Sequence, residues 1–159
     1  MAITYEPIAT STASGSVSSI TFSSISGSYT DIVLVFEGKT SAADEWGLRF
    51  NSDTGNNYSA TWMAGGANPV QSSRYSNVSF ATFNYVRTNR TIAIANIQNY
   101  SNSTTYKTVV TRTSEPDNAW SCISMWRNSA AITSITLLSV NGYNFSNDTK
   151  VTIYGIKAA

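Results

Sequence analysis

Short segments in which apolar and polar residues alternate recur along almost the whole of this chain. The alternation runs, for example, through residues 46–50, 58–62 and 120–126. Because successive side chains of a β-strand point to opposite faces of a sheet, this period of two predicts strands that are buried on one face. Residues 32–36 are continuously apolar, which predicts a strand covered on both faces. No long stretch has the apolar spacing of a helix, so we expect an all-β protein.

The predicted strands are separated by clusters of residues that favour turns, at 26–28, 53–57 and 141–142. About eight to ten short antiparallel strands indicate a β-sandwich of the jelly-roll kind. An immunoglobulin sandwich fits less well, because its Cys…Trp…Cys pattern is absent. We expect one such domain at residues 17–159, preceded by a flexible, extended N-terminal arm at residues 1–16.

The polarity of the chain comes from uncharged side chains. Ser, Thr and Asn make up 60 of the 159 residues, whereas charged residues make up 12% and the net charge is +1. Nucleic-acid binding needs a concentrated basic face, and here the cations are scattered, so we expect no nucleic-acid partner. A surface this close to neutral favours association with other copies or other proteins.

The sequence lacks the usual features of secreted and membrane proteins. The single cysteine, Cys122, cannot form an intrachain disulfide. There is no apolar run of about 20 residues that would cross a membrane. The N-terminal residues lack the basic and apolar regions of a signal peptide, so we expect synthesis in a cytoplasm and no membrane partner.

The side chains that usually carry catalysis are scarce, and we expect no enzymatic activity. The sequence contains no histidine, which removes the usual general base and His-containing metal sites. Carboxylates alone can hydrolyse glycosides, and Glu37 with Asp44 and Glu45 is the candidate set for this unusual activity. Cys122 is expected to be a buried thiol. We predict no cofactor and no metal, and we interpret residues 51–57 as a structural turn in which Gly55 or Asn56 has a positive φ.

Two groups of aromatic residues have polar or basic neighbours. Trp62 is accompanied by Arg74 and Tyr75, and Tyr85 by Arg87. Such rings can stack on sugars, but they can equally pack in a core or between subunits. Packing is the interpretation that the sequence favours.

Four stretches, residues 5–9, 48–58, 126–135 and 154–157, together resemble a group of short virion structural proteins of tailed bacteriophages, notably those that infect cyanobacteria and marine bacteria. The resemblance covers nearly the whole chain and implies a component of a virus particle, made in the host cytoplasm and placed on the particle surface. It brings no catalytic residue. The residues that carry the two main motifs are Arg49, Asn51, Asp53, Gly55, Asn57, Tyr58, Trp126 and Arg127.

Within a virion, the favoured function is that of a capsid decoration or cement protein. We expect a homotrimer or homodimer that binds the major capsid protein or another virion protein and stabilises the outer shell. The N-terminal arm would add a strand to a neighbour's sheet through Ile3, Tyr5, Pro7 and Ile8. The alternative is a tail or fibre head domain that binds a glycan of the host surface through exposed Trp and Tyr.

Overall fold

The computed structural model describes residues 5–66, 69–114 and 118–157, which form twelve β-strands. The strands are β1 (Tyr5–Thr12), β2 (Ser19–Phe22), β3 (Asp31–Gly38), β4 (Asp44–Phe50), β5 (Tyr58–Gly66), β6 (Gln71–Val78), β7 (Ala81–Val86), β8 (Thr91–Gln98), β9 (Lys107–Ser114), β10 (Asn118–Trp126), β11 (Ile135–Ser139) and β12 (Lys150–Ile156). Among these described residues no helix has the length and apolar character that a membrane crossing requires.

The strands form two antiparallel sheets that pack face to face. The large sheet has the order β1-β12-β3-β8-β9-β10-β5-β6, and the small sheet has the order β2-β11-β4-β7. Without the hairpins β5–β6 and β9–β10, the orders β1-β12-β3-β8 and β2-β11-β4-β7 are those of an eight-stranded jelly roll. The predicted antiparallel sandwich is therefore confirmed, and the two hairpins extend its large sheet beyond β8.

Aromatic side chains on the inner faces of both sheets form the core. Phe36 of β3 contacts Phe83 and Phe145, with ring centroids 6.1 and 5.8 Å apart, and the ring of Trp46 lies 3.8 Å from that of Phe145. All four are fully buried. Phe36, Trp46 and Phe83 reach the core because strand alternation points them inward, as the period of two predicts. Phe145 lies in the connection between β11 and β12, where it forms isolated bridges with Val17 and Thr40.

The N-terminal segment is extended, as predicted, but it is not a free arm. Strand β1 pairs with β12 over its full length, from Tyr5 opposite Ile156 to Thr12 opposite Lys150. The register shifts between Pro7 and Ala9, which is compatible with an edge strand because proline has no N–H for the ladder. Residues 5–12 thus form an edge strand of the large sheet of the same chain, which corrects the prediction that they are flexible. Ile3 lies outside the described residues.

Twelve strands exceed the predicted eight to ten. One addition is β1, which the sequence assigned to the arm. The other is β6, an edge strand whose residues are mostly exposed, so no apolar alternation marks it. Residues 79–80 connect β6 to β7.

Candidate ligand-binding cleft

A cleft of about 210 Å³ opens where the large sheet extends beyond β7, the edge strand of the small sheet. Strand β7 packs against β9 and β10, while β5 and β6 continue the large sheet past it. Part of the inner face of the large sheet is therefore left without a covering strand. The residues that line the cleft are Glu45, Trp62, Tyr75, Thr82, Tyr85, Thr111, Trp120 and Cys122.

Three aromatic rings stand side by side in the wall of the cleft. The ring centroids of Trp62 and Trp120 are 4.9 Å apart, and Tyr85 stacks nearly parallel to Trp120 at 5.8 Å. The register explains the first pair, because Trp62 of β5 lies opposite Cys122 of β10, two residues from Trp120. Diagonal neighbours on one face of a sheet are within reach of large side chains. The guanidinium of Arg87 lies 5.5 Å from the centre of the Tyr85 ring.

Glu45 is the acidic group of the cleft. The hydroxyl of Thr82 donates a hydrogen bond to its Oε1 over 3.1 Å. Burial raises the pKa of Glu45 above its ordinary value, the Thr82 hydrogen bond lowers it, and the charge of Asp44 raises it further. A half-buried carboxylate among aromatic rings is a strong hydrogen-bond acceptor for any group that enters the cleft.

The indole nitrogens of two tryptophans on β10 differ in their partners. Nε1 of Trp126 donates to Asp53 Oδ2 over 2.7 Å, and this ring is fully buried. Nε1 of Trp120 is inaccessible and has no partner among the described residues, as is also true of Nε1 of the core residue Trp46. Buried indole N–H groups usually find a partner. Trp120 is therefore held in the cleft wall by contacts of its ring with Trp62 and Tyr85. Its indole N–H donates no hydrogen bond to a described residue.

The three acids considered from the sequence for catalysis are not brought together. Glu37 lies on the outside of the large sheet, where it forms an ion pair with Arg90 at 3.1 Å. Asp44 is buried and accepts hydrogen bonds from Ser139 and Asn141. Among the described residues that line the cleft, Glu45 is the one carboxylate, so the described part of the cleft lacks the pair that glycoside hydrolysis uses.

Cys122 lies in the wall of the cleft. Cys122 is buried, as the sequence predicts, and burial raises the pKa of its thiol. Its position in the cleft wall could not be read from the sequence. Within residues 5–66, 69–114 and 118–157 no three His, Cys, Asp or Glu side chains are grouped so as to hold a metal ion.

The first motif of the resemblance builds a turn. Asn51 and Ser52 have φ values of 51° and 58°, and the N–H of Asp53 bonds to the carbonyl of Phe50 over 2.9 Å. The positive φ predicted at Gly55 or Asn56 is therefore found at Asn51 and Ser52. The side chain of Asn51 continues the network, since its Oδ1 accepts the N–H of Thr133 over 2.8 Å.

The other motif residues join the same structural network. Arg127 donates to the carbonyl of Asn56 and to Asn77 Oδ1, each over 2.8 Å, and Asn57 donates to Asp53. Further bonds run from Gly55 N–H to Asp53, from Arg49 to the Ser79 carbonyl and from the Tyr58 hydroxyl to the Asp53 carbonyl.

None of the eight motif residues lines the cleft. Tyr5, Pro7 and Ile8 lie on β1, at the opposite edge of the large sheet from β6.

Comparison with known proteins finds no relative of this chain. The chain matches no protein-family model, no curated protein and no solved structure.

Proposed function

We propose that this chain is a carbohydrate-binding protein that holds a sugar ring in the aromatic cleft. The observation that carries the proposal is the juxtaposition of Trp62, Trp120 and Tyr85 with Glu45 and Thr82. A pyranose has apolar C–H faces and hydroxyl edges. Flat aromatic rings pack against the faces, and a few convergent polar groups bind the edges.

The size of the cleft agrees with a single sugar ring. Its volume is about 210 Å³, and an apolar protein cavity of about 150 Å³ holds benzene. A six-membered ring with its substituents therefore fits, and further sugars of a chain would lie outside. The resemblance to phage virion proteins makes a glycan of the host surface the natural source, which is the tail or fibre role that the sequence left as the alternative.

Removing either tryptophan of the aromatic wall is expected to weaken binding. We expect Trp62→Ala and Trp120→Ala each to weaken glycan binding by about tenfold, because stacking on one ring contributes about 0.5–1.5 kcal/mol beyond its buried area. The measurement is a glycan array with the native chain, followed by calorimetric titration of the glycans that bind. Tyr106→Ala is the matched control, since Tyr106 is exposed and does not line the cleft.

Two results would count against carbohydrate binding. One is a native chain that binds no glycan on the array. The other is full affinity in a correctly folded Trp120→Ala variant, because the cleft would then not be the site.

A second candidate function, capsid decoration, is favoured by the outer face of the large sheet. We define this outer face by Met63, Ile92, Ile123 and Met125, which point away from the small sheet and are all exposed. Apolar side chains grouped on one surface mark contacts with other proteins. With β1 occupied in its own sheet, this face and not an N-terminal arm is the surface by which a homotrimer or homodimer, or the major capsid protein, would be held.

The outer face is tested by self-association. If it joins copies of the chain, Ile123→Glu should convert an oligomer into a monomer in sedimentation experiments, because burying the new charge in the contact would cost its hydration. Tyr143→Glu, also at an exposed position, should leave the oligomer intact. If the native chain sediments as a monomer, capsid decoration by a homotrimer or homodimer is ruled out.

A further inference from the structure

We infer that the cleft selects its sugar by charge, accepting neutral and amino sugars and rejecting sugars that carry a carboxylate. The inference rests on the proposed carbohydrate binding and adds the class of sugar. Its basis is the juxtaposition of one carboxylate, that of Glu45, with aromatic faces, in a wall whose described residues include no Lys or Arg.

The carboxylate of Glu45 has unused capacity for hydrogen bonds. Thr82 donates to its Oε1, and a carboxylate offers about four acceptor positions. A ligand therefore meets an acceptor, and it must supply a donor such as a hydroxyl, an amide N–H or an ammonium. The ammonium forms the strongest of these bonds because donor and acceptor are both charged.

The titratable groups around Glu45 do not neutralise its charge. Cys122 faces the cleft from β10 as a thiol, and Tyr75 and Tyr85 contribute phenol groups. Asp44, the next residue along β4, adds negative charge, and its interaction with Glu45 is one cause of the raised pKa of Glu45. The cleft is therefore negative when Glu45 is ionised.

The nearest arginines lie against the cleft wall from outside. Arg87 is placed over the ring of Tyr85, and it does not line the cleft. Arg74 precedes Tyr75 on β6 and is exposed; it lines a separate depression with Thr61 and Ile123. Strand alternation explains why Arg74 and Tyr75 face opposite sides.

The aromatic rings reinforce the same preference. The face of an aromatic ring attracts cations and repels anions, because its π electrons give it a negative electrostatic potential. An acidic sugar would place its carboxylate near both these faces and Glu45. Without a cationic partner in the wall, that carboxylate would lose water and gain no charge-paired hydrogen bond in return.

Matched sugars test this inference. The probes are the methyl glycosides of glucose, glucosamine and glucuronic acid, with the same three in the galactose series, and their dissociation constants are measured by NMR titration at pH 7. We expect the amino sugar to bind about two- to fivefold more tightly than the neutral sugar, the effect of a partly exposed charge pair. The uronic acid should show no measurable binding.

The substitution Glu45→Gln separates charge from shape. Its amide oxygen can still accept the Thr82 hydrogen bond, so the fold should persist. The readout is the ratio of the three sugar affinities within the variant, and no single affinity is expected to equal that of the native protein. The preference for the amino sugar should disappear, and the uronic acid should bind about as well as the neutral sugar. Glu37→Gln, on the exposed outer side of the large sheet, is the control that should change nothing.

The pH gives an independent signal. As pH falls through the raised pKa of Glu45, the carboxylate gains a proton, so the preference of the native protein for the amino sugar should shrink. In Glu45→Gln the preference should not depend on pH in this way. Any slope that remains in the variant comes from the amine of the sugar.

The outcomes distinguish the two proposals. Equal binding of neutral and acidic sugars by the native protein, or an amino-sugar preference that survives Glu45→Gln, would overturn charge selection and leave carbohydrate binding standing. Failure of all six glycosides to bind would overturn both.

Discussion

Replacing Trp126 by alanine is expected to lower the free energy of unfolding by about 3–5 kcal/mol, the usual loss when a buried tryptophan is truncated. The indole is fully buried and lies 5.6 Å from the Phe50 ring and 6.2 Å from the nearly parallel Tyr58 ring. Its loss would leave a cavity between the sheets and remove a hydrogen bond to Asp53. Chemical denaturation followed by circular dichroism measures the change.

Two further variants define what Trp126 does. Trp126→Phe keeps most of the ring but removes the Nε1 donor to the Asp53 carboxylate, so it should cost about 1.5–3 kcal/mol, the range for a hydrogen bond to a charged group. Trp62→Ala, in the partly exposed cleft wall, should leave the free energy of unfolding close to the native value. Equal stability of Trp126→Ala and the native chain would show that the Phe50–Tyr58–Trp126 cluster is not a core.

The antiparallel sandwich is readable from the sequence because it depends on local alternation. Burial on one face imposes a period of two, and this pattern is strong in β4 and β10. Strand β6 could not be predicted from the alternation, because an edge strand with both faces largely exposed needs no apolar positions. Strand β1 is missed because its small residues are equally compatible with an arm, and its partner β12 lies at the far end of the chain.

The cleft is less predictable, because contacts distant in sequence create it. Trp62 and Tyr85 stand out in the sequence, but their neighbours there favour packing over sugar stacking. The decisive contacts are those of both rings with Trp120, which need the β5–β10 register and the position of β7. The motif residues show the reverse case: Asp53 and Trp126 attract attention as a family signature, and their hydrogen bond shows that they hold the fold together.

Replacing Asp44 by alanine is expected to lower the free energy of unfolding by about 1.5–3 kcal/mol, the range for hydrogen bonds to a charged group. The buried carboxylate accepts from the hydroxyl of Ser139 and from the side chain and backbone N–H of Asn141. Ser139 in turn accepts the N–H of Tyr143 over 2.8 Å. Truncation would leave several of these donors unpaired in the turn after β11.

Glu45 is the natural control, because strand alternation places adjacent residues of β4 on opposite faces. Glu45→Ala should change stability by less than about 1 kcal/mol, because the lost hydrogen bond with Thr82 is offset by removal of a partly buried charge that burial disfavours. Its effect should appear in amino-sugar binding instead, whereas folded Asp44→Ala should retain the neutral-sugar affinity of the native chain. Asp44 is therefore expected to contribute mainly to the free energy of unfolding, and Glu45 is expected to contribute mainly to ligand affinity. If denaturation showed the two alanine variants to be equally stable, the assignment of Asp44 to the turn and Glu45 to the cleft would be wrong.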